Sequence, residues 1–379
     1  MKWEQAQETA GARRWVPAGV GIAVVIVALV FAVIGREQGD TLAVQPASPE
    51  RPSAQPQGSR SPGPPDAPTA IPVDAIAGSG RLLPGTADFT VVASDHQGWR
   101  VIDVATGAVT HWHVQGIGDQ TLSRTLFVSG DDLVINPGLG PADVLRVAPD
   151  GATVTIAKQR QAVPTIDADG AVWVHDGLSD DFGGAASLVD PDGSVRARIM
   201  LPTLTVPAVG VGDGLVVSTE EGTAVVSDAG AEPIRDEGVV VAADAHRVAH
   251  VMCDETRSCE VVIGTMDDPD QHRLLLAPGD VPGGYFSSGL GAFSPDGRWL
   301  AMPVFTPAAR GYLTIMDTRT GERVGRPEGS DQPFTSALAW SPDSEWLVFA
   351  AGEGIDAWHA DTGAVIKIDT ESVQALATR

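Results

Sequence analysis

The chain has 379 residues, 43% of them hydrophobic and 20% charged, and its 25 Lys plus Arg against 49 Asp plus Glu leave a formal net charge of −24. That acidity excludes the Lys- and Arg-rich surface a nucleic-acid binder needs, while the apolar content suffices for a core. Two cysteines are too few for a disulfide scaffold or a four-cysteine zinc site.

Residues 16–35, VPAGVGIAVVIVALVFAVIG, form a run of 20 residues without a charge. At about 1.5 Å per residue the run spans about 30 Å, the hydrocarbon thickness of a bilayer. Lys2, Arg13 and Arg14 precede it, so the positive-inside rule makes residues 1–15 a cytoplasmic tail and puts the remainder outside the cell membrane. An uncleaved transmembrane signal anchor is expected. The rival is a cleaved signal peptide, with Val33 and Gly35 as a weak cleavage site, but the run exceeds a usual h-region. A buried soluble helix is a third reading, against which the Val- and Ile-rich, non-amphipathic run speaks.

Residues 36–77 contain ASPERPSAQPQGSRSPGPPDAP. Proline removes donors and fixes φ, so this stretch is expected to be a disordered linker holding the next domain off the membrane. No P-x-x-P repeat with basic flanks marks it as a ligand for a recognition module.

From residue 78 to 370, Val- and Ile-rich runs of four to seven residues alternate with Gly, Asp, Pro and Ser turns, and no amphipathic helix appears. The fold class is therefore all-β: a sandwich, barrel or propeller. Internal repeats separate these. One turn recurs as DVATGA (103–108), APDGA (148–152), DPDGS (190–194), SDAGA (227–231), DTRTGE (317–322) and ADTGA (360–364), with TMDDPDQ (265–271) as a degenerate copy. The mean step from Gly107 to Gly363 is about 43 residues, the length of a four-stranded propeller blade. A second turn, half a blade away, reads SGDD (129–132), DADG (167–170), VGDG (211–214), DAHR (244–247), SPDG (294–297) and SPDS (341–344), with GTAD (85–88) as a candidate first copy. Asp bonds its own backbone two residues on and Gly adopts φ > 0, so these aspartates are expected to be structural. The count favours a seven-bladed β-propeller, with six or eight blades also compatible, and leaves residues 371–379 as a C-terminal tail.

The segments FSPDGRWLAMPV (293–304) and WSPDSEWLVFAA (340–351) resemble the repeat of TolB-type, WD-like propellers. The two copies cover about 80 residues, and weaker turns extend the pattern over about 290. The resemblance implies a binding scaffold, because such propellers commonly present loops to partners; it implies no specific activity.

Cys253 and Cys259, in VMCDETRSCEVV, are expected opposite each other at the mouth of a hairpin and disulfide-bonded in an oxidising compartment. His111 and His113 share a strand face but lack a visible third metal ligand. Asp176, Asp180 and Asp181 make an acidic loop without EF-hand spacing. No G-x-S-x-G elbow or phosphate-binding glycine loop occurs, so no catalytic residue, metal or cofactor is assigned.

In a four-stranded blade with strands A to D from the inside out, the B–C and D–A connections share one face. The B–C connections include STEEG (218–222), DETRS (254–258) and FTPAARG (305–311); the D–A connections include RDEG (235–238) and APGDVPGGYFSSG (277–289). The face they make would collect Glu220, Glu221, Asp236, Glu237, Asp254 and Glu255, together with Tyr285, Phe286 and Arg310. It is the expected site for a protein partner or a cationic ligand. The expectation is a non-catalytic binding or scaffolding module of a bacterial cell envelope. The alternatives are a hydrolase or lyase at the mouth of the central channel and a sensor of a cell-envelope ligand. The 22 Arg against 3 Lys hint at a high-GC bacterium.

Overall fold

The computed structural model describes residues 70–379 apart from 95–97, 115–122, 138–141, 167, 177–183, 203–204, 254–258, 267–271, 277–290, 306–310, 326–336, 353 and 372. Every regular element among them is a β-strand. The first four are β1 (Ala70–Ile76), β2 (Thr90–Ser94), β3 (Trp99–Asp103) and β4 (Val109–Val114). Next come β5 (Ser123–Ser129), β6 (Asp132–Pro137), β7 (Ala142–Val147), β8 (Thr153–Val163), β9 (Thr165–Ile166), β10 (Val172–His175), β11 (Gly184–Val189) and β12 (Val195–Leu201). They are followed by β13 (Val206–Val211), β14 (Gly214–Thr219), β15 (Gly222–Ser227), β16 (Gly230–Arg235), β17 (Val239–Ala243), β18 (Arg247–Cys253), β19 (Cys259–Thr265) and β20 (His272–Leu276). The last are β21 (Ala292–Phe293), β22 (Trp299–Phe305), β23 (Gly311–Asp317), β24 (Arg323–Gly325), β25 (Leu338–Trp340), β26 (Trp346–Ala351), β27 (Gly354–His359), β28 (Val365–Asp369) and β29 (Ala375–Thr378).

The strands hydrogen-bond into sheets of order β1-β4-β3-β2-β29, β12-β11-β10-β8-β7-β6-β5, β16-β15-β14-β13-β9, and three of four strands each in sequence order from β17, β21 and β25. Inner strands adjoin from sheet to sheet: β13 meets β17, β17 meets β21, β21 meets β25, β25 meets β29, and β29 meets β5. Sheets packed face to face around an axis in this way make a β-propeller.

Central strands are covered on both faces, which is why they read as continuous apolar runs and not as alternating ones. All six residues of β26 are buried. Between the last two sheets the core is aromatic: Trp299 and Trp340 each meet the Trp358 ring edge-on, with centroids at 5.8 and 6.3 Å.

The seven-stranded sheet contains β8, which serves two neighbours. Its first part pairs with β7, and residues 161–163 pair with β10. At the switch Gln159 adopts φ 52°, and its N–H donates to Asp143 Oδ1 at 3.2 Å. Asn136 supplies the missing ladder bonds: its Nδ2 donates to the Arg160 carbonyl at 3.2 Å, and its Oδ1 accepts the Ala162 N–H at 3.0 Å.

Two boundaries differ from the sequence expectation. Residues 70–76, assigned to the linker, form β1 and pair with β4. Pro72 is compatible with this edge strand, because no neighbouring strand needs the N–H that proline lacks. Residues 375–378, assigned to the tail, form β29 and pair antiparallel with β2, from Val91↔Thr378 to Ser94↔Ala375. Because the inner strand of the first sheet comes from the far end of the chain, GTAD (85–88) joins no pair of strands. Among the described residues no helix is long and apolar enough to cross a membrane; residues 16–35 lie outside them.

The closing strand is held by reciprocal backbone bonds between Thr90 and Arg379, at 2.7 and 3.0 Å. A buried clasp backs it. Arg100, 1% exposed, donates from Nε to Asp369 at 2.8 Å and from Nη2 to the Glu371 carbonyl at 3.1 Å, with Nη1 3.2 Å from the Glu371 carboxylate. Arg100→Ala, which strands Asp369 and a carbonyl, is expected to cost about 3 kcal/mol in urea unfolding. Arg100→Met, which keeps the packing volume, should cost less.

Candidate functional site

The two faces of the propeller differ in what their polar groups are already doing. On the face of the A–B and C–D turns, several aspartates are engaged by backbone. Asp103 Oδ1 accepts the Ala105 and Thr106 N–H groups at 2.9 and 3.0 Å, and Asp317 Oδ1 accepts those of Arg319 and Thr320 at 2.8 and 3.0 Å. Burial raises the Asp317 carboxyl, but those two N–H groups and Arg298 outweigh it and hold it below the usual carboxylate range. At the equivalent place in the last copy stands His359, whose Nδ1 accepts from Asp361 and Thr362. The SPDG turn folds on Ser294: its Oγ lies 2.6 Å from Asp296 Oδ1 and accepts the Trp299 N–H at 2.9 Å. Ser341, Asp343 and Trp346 repeat this at 2.5 and 2.9 Å. Gly297 has φ 69°; its counterpart Ser344 adopts φ 66°, and Ser344 Oγ accepts the Asp296 N–H at 2.9 Å, tying two sheets together.

The same face carries a series of arginine ties. Arg146 binds Asp132 and the Gly170 carbonyl, each at 2.5 Å. Arg196 pairs with Asp190 at 2.5 Å and approaches Asp213 of the next sheet at 3.8 Å. Arg247 pairs with Asp244 and donates to the Gly297 carbonyl. Arg298 stacks on Trp299 and reaches Asp317 and Asp361. The sequence showed these arginines without partners; only the recurring Asp–Arg neighbourhood around each turn hinted at them.

The opposite face is arranged differently. Glu220, Glu221, Asp236 and Glu237 are all exposed. The fold brings them to one corner, because the turn entering β15 lies against the connection after β16. Gly222 makes this approach, with φ 125°: a Cβ there would sit 2.1 Å from the Arg235 carbonyl and 2.5 Å from the Asp236 carbonyl carbon. Beneath the corner, Arg235 Nε points at Met252 Sδ, 3.2 Å away. His250, 1% exposed, places Nδ1 3.3 Å from Thr223 Oγ1. Cys259 is disulfide-bonded, and the register sets it opposite Cys253. Asp254, Glu255, Tyr285, Phe286 and Arg310 lie outside the described residues.

The remaining candidates find other company. On β4, His111 stands opposite Arg100 on one side and Asp74 on the other, so a cation already neighbours it. Asp176 pairs with Arg160 at 2.7 Å; Asp180 and Asp181 lie outside the described residues. Among the described residues no three His, Cys, Asp or Glu side chains could hold a metal ion. His250 escaped notice in the sequence because a lone histidine in a strand carries no signal of its own.

No family model and no curated protein matches the chain. Solved structures that resemble it include TolB from Acinetobacter baumannii, at 12% identity and TM-score 0.46, over 78% of this chain and 68% of that one. Citrobacter koseri AztD is similar at 13% identity and TM-score 0.44, over 77% and 98% of the two chains. Kuenenia stuttgartiensis hydrazine synthase is similar at 15% identity and TM-score 0.47, over 66% and 80%.

Burial, and then the charge of Arg235, lower the His250 imidazole from 6.5 to about 3. The unfolded chain therefore takes up this proton near its ordinary value while the folded chain resists it. The contribution of His250 to stability is therefore expected to be full above pH 6.5 and to fall with acid until about pH 3, by up to about 1.4 kcal/mol per pH unit. His250→Gln should flatten this acid limb in urea titrations across that window. Replacing Cys253 and Cys259 by Ser should lower stability by about 2 kcal/mol, the loop between them being short.

Proposed function

We propose that the chain is a bacterial single-pass membrane protein, with residues 1–15 cytoplasmic and a seven-bladed propeller outside the membrane, and that the propeller is a non-catalytic binding module. Dividing the seven-stranded sheet at β8 supports seven blades, the first of which carries β1 as an additional outer strand. The uncharged run at 16–35 supports the anchor. The observation that carries the binding role is that Glu220, Glu221, Asp236 and Glu237 gather at one corner and are all exposed, whereas turn-face aspartates such as Asp103 and Asp317 are held by their own backbone. Exposed carboxylates so arranged suit a cationic ligand or a basic patch on a protein partner. The inner strands argue for binding over hydrolysis. Among the described residues, β5, β9, β13, β17, β21, β25, β29 and residues 161–163 of β8 contain no Asp, Glu, His, Lys or Cys, so these strands offer no acid–base pair to the channel.

Reversing all four carboxylates to Lys should reduce crosslinked or proximity-labelled partner in the native cell by at least about tenfold. The melting temperature should not change, since the four side chains are exposed. Unchanged labelling by the variant would overturn the assignment of this face.

A further inference from the structure

A second surface, at the outer rim between β12 and the β13–β16 sheet, is independent of that corner. Two parts of the ring can be compared there row by row. The last residue of β2, Ser94, pairs with Trp99 on β3, and Trp99 pairs with Trp112 on β4. The last residue of β10, His175, pairs with Ala186 on β11, and Ala186 pairs with Ile199 on β12. Partners directly opposite share a sheet face. Trp112 and Ile199 therefore hold equivalent places, and each packs towards the next sheet.

The two junctions are filled differently. Trp112 lies over the turn joining β7 to β8, where a Cβ on Gly151 would sit 2.2 Å from the indole. The corresponding turn of the other junction joins β15 to β16. There a Cβ on Gly230 would meet nothing within 4 Å. Ile199 is smaller than an indole, and a groove of about 290 Å³ runs between β12 and that turn. Its lining combines three chemistries. Ile199 and Val226 are buried and apolar. Arg198 and the 71% exposed Met200 line the β12 side, and Asp228 lines the other. Neither Arg198 nor Asp228 forms an ion pair among the described residues.

We propose that this groove binds a free aromatic amino acid. The bare Gly230 and the apolar Ile199 and Val226 leave room for a flat ring, and the Met200 thioether favours contact with a ring edge. The Arg198 guanidinium suits the α-carboxylate, and Asp228 suits the α-ammonium. A ligand with one charge of each sign answers both walls; an anion or a cation alone leaves one of them without a partner. The volume lies at the small end of the range for ligand pockets, which suits an amino acid better than a larger cofactor.

The test uses the full chain and calorimetric titration with tryptophan, tryptamine, indolepropionate and N-acetyltryptophanamide. Tryptophan should bind at least about tenfold tighter than each of the others, which lack the carboxylate, the ammonium or both charges. Arg198→Ala should erase its advantage over tryptamine, and Asp228→Ala its advantage over indolepropionate. Both side chains are exposed, so the melting temperature should not change. Ile199→Trp, which puts on β12 the side chain that fills the other junction, should weaken binding at least about tenfold; where this variant melts lower, the two charge variants decide. Absence of saturable tryptophan binding, or tryptophan binding indifferent to Arg198→Ala and Asp228→Ala, would overturn the proposal. So would equal binding of tryptophan and N-acetyltryptophanamide, since the occupant would then be an aromatic side chain of another protein. The charge-reversed corner variant should bind tryptophan as the native chain does, which separates this groove from the corner.

Discussion

Everything in this molecule depends on a four-residue strand pairing with a segment far away in sequence. A single blade cannot bury both of its apolar faces; it needs a neighbour on each side. The last blade finds its second neighbour only because β29 completes the first sheet against β2. Arg100 secures that junction from within, binding Asp369 and Glu371 on the connection that leads into β29. The cluster behind the junction mixes both ends of the chain: Val91, Ile102 and Leu376 pack with Trp346 and Val348. Without closure these residues would face water.

The remaining joints repeat one idea. Each needs a short polar link between stacked sheets, and the chain uses arginine at the turn face, where a planar guanidinium can reach a carboxylate and a carbonyl together. Arg146 and Arg247 do so for two separate junctions. Serine does the same on a smaller scale at Ser344. The net charge of −24 thus divides by location. Turn aspartates such as Asp103, Asp244 and Asp317 accept from their own backbone, and Asp132, Asp190, Asp244 and Asp317 bind arginines. The carboxylates of Glu220, Glu221, Asp236 and Glu237 at the opposite corner are exposed, near the buried His250.

Much of this was legible because turns are local. The Asp and Gly positions in both turn families follow from the conformations a hairpin requires: Gly107, Gly151, Gly193, Gly230, Gly321 and Gly363 all have positive φ. The pairing of the cysteines followed from hairpin register. The exposed carboxylates of STEEG and RDEG were placed on one face by counting strands. What composition could not reveal was β1, hidden in a proline-rich run, and the switch of β8 between two blades. The latter depends on Asn136, a residue whose neighbours in sequence say nothing of its partners.

The sequence by itself determined the strands, the turn chemistry, the repeat and the uncharged N-terminal run, since each rests on residues within about ten positions of one another. Tertiary structure decided which strand closes the ring, which arginine meets which carboxylate, and that Glu220 and Glu237 share a corner. Those depend on contacts between residues distant in the chain, and no local pattern encodes which distant partner a side chain will meet.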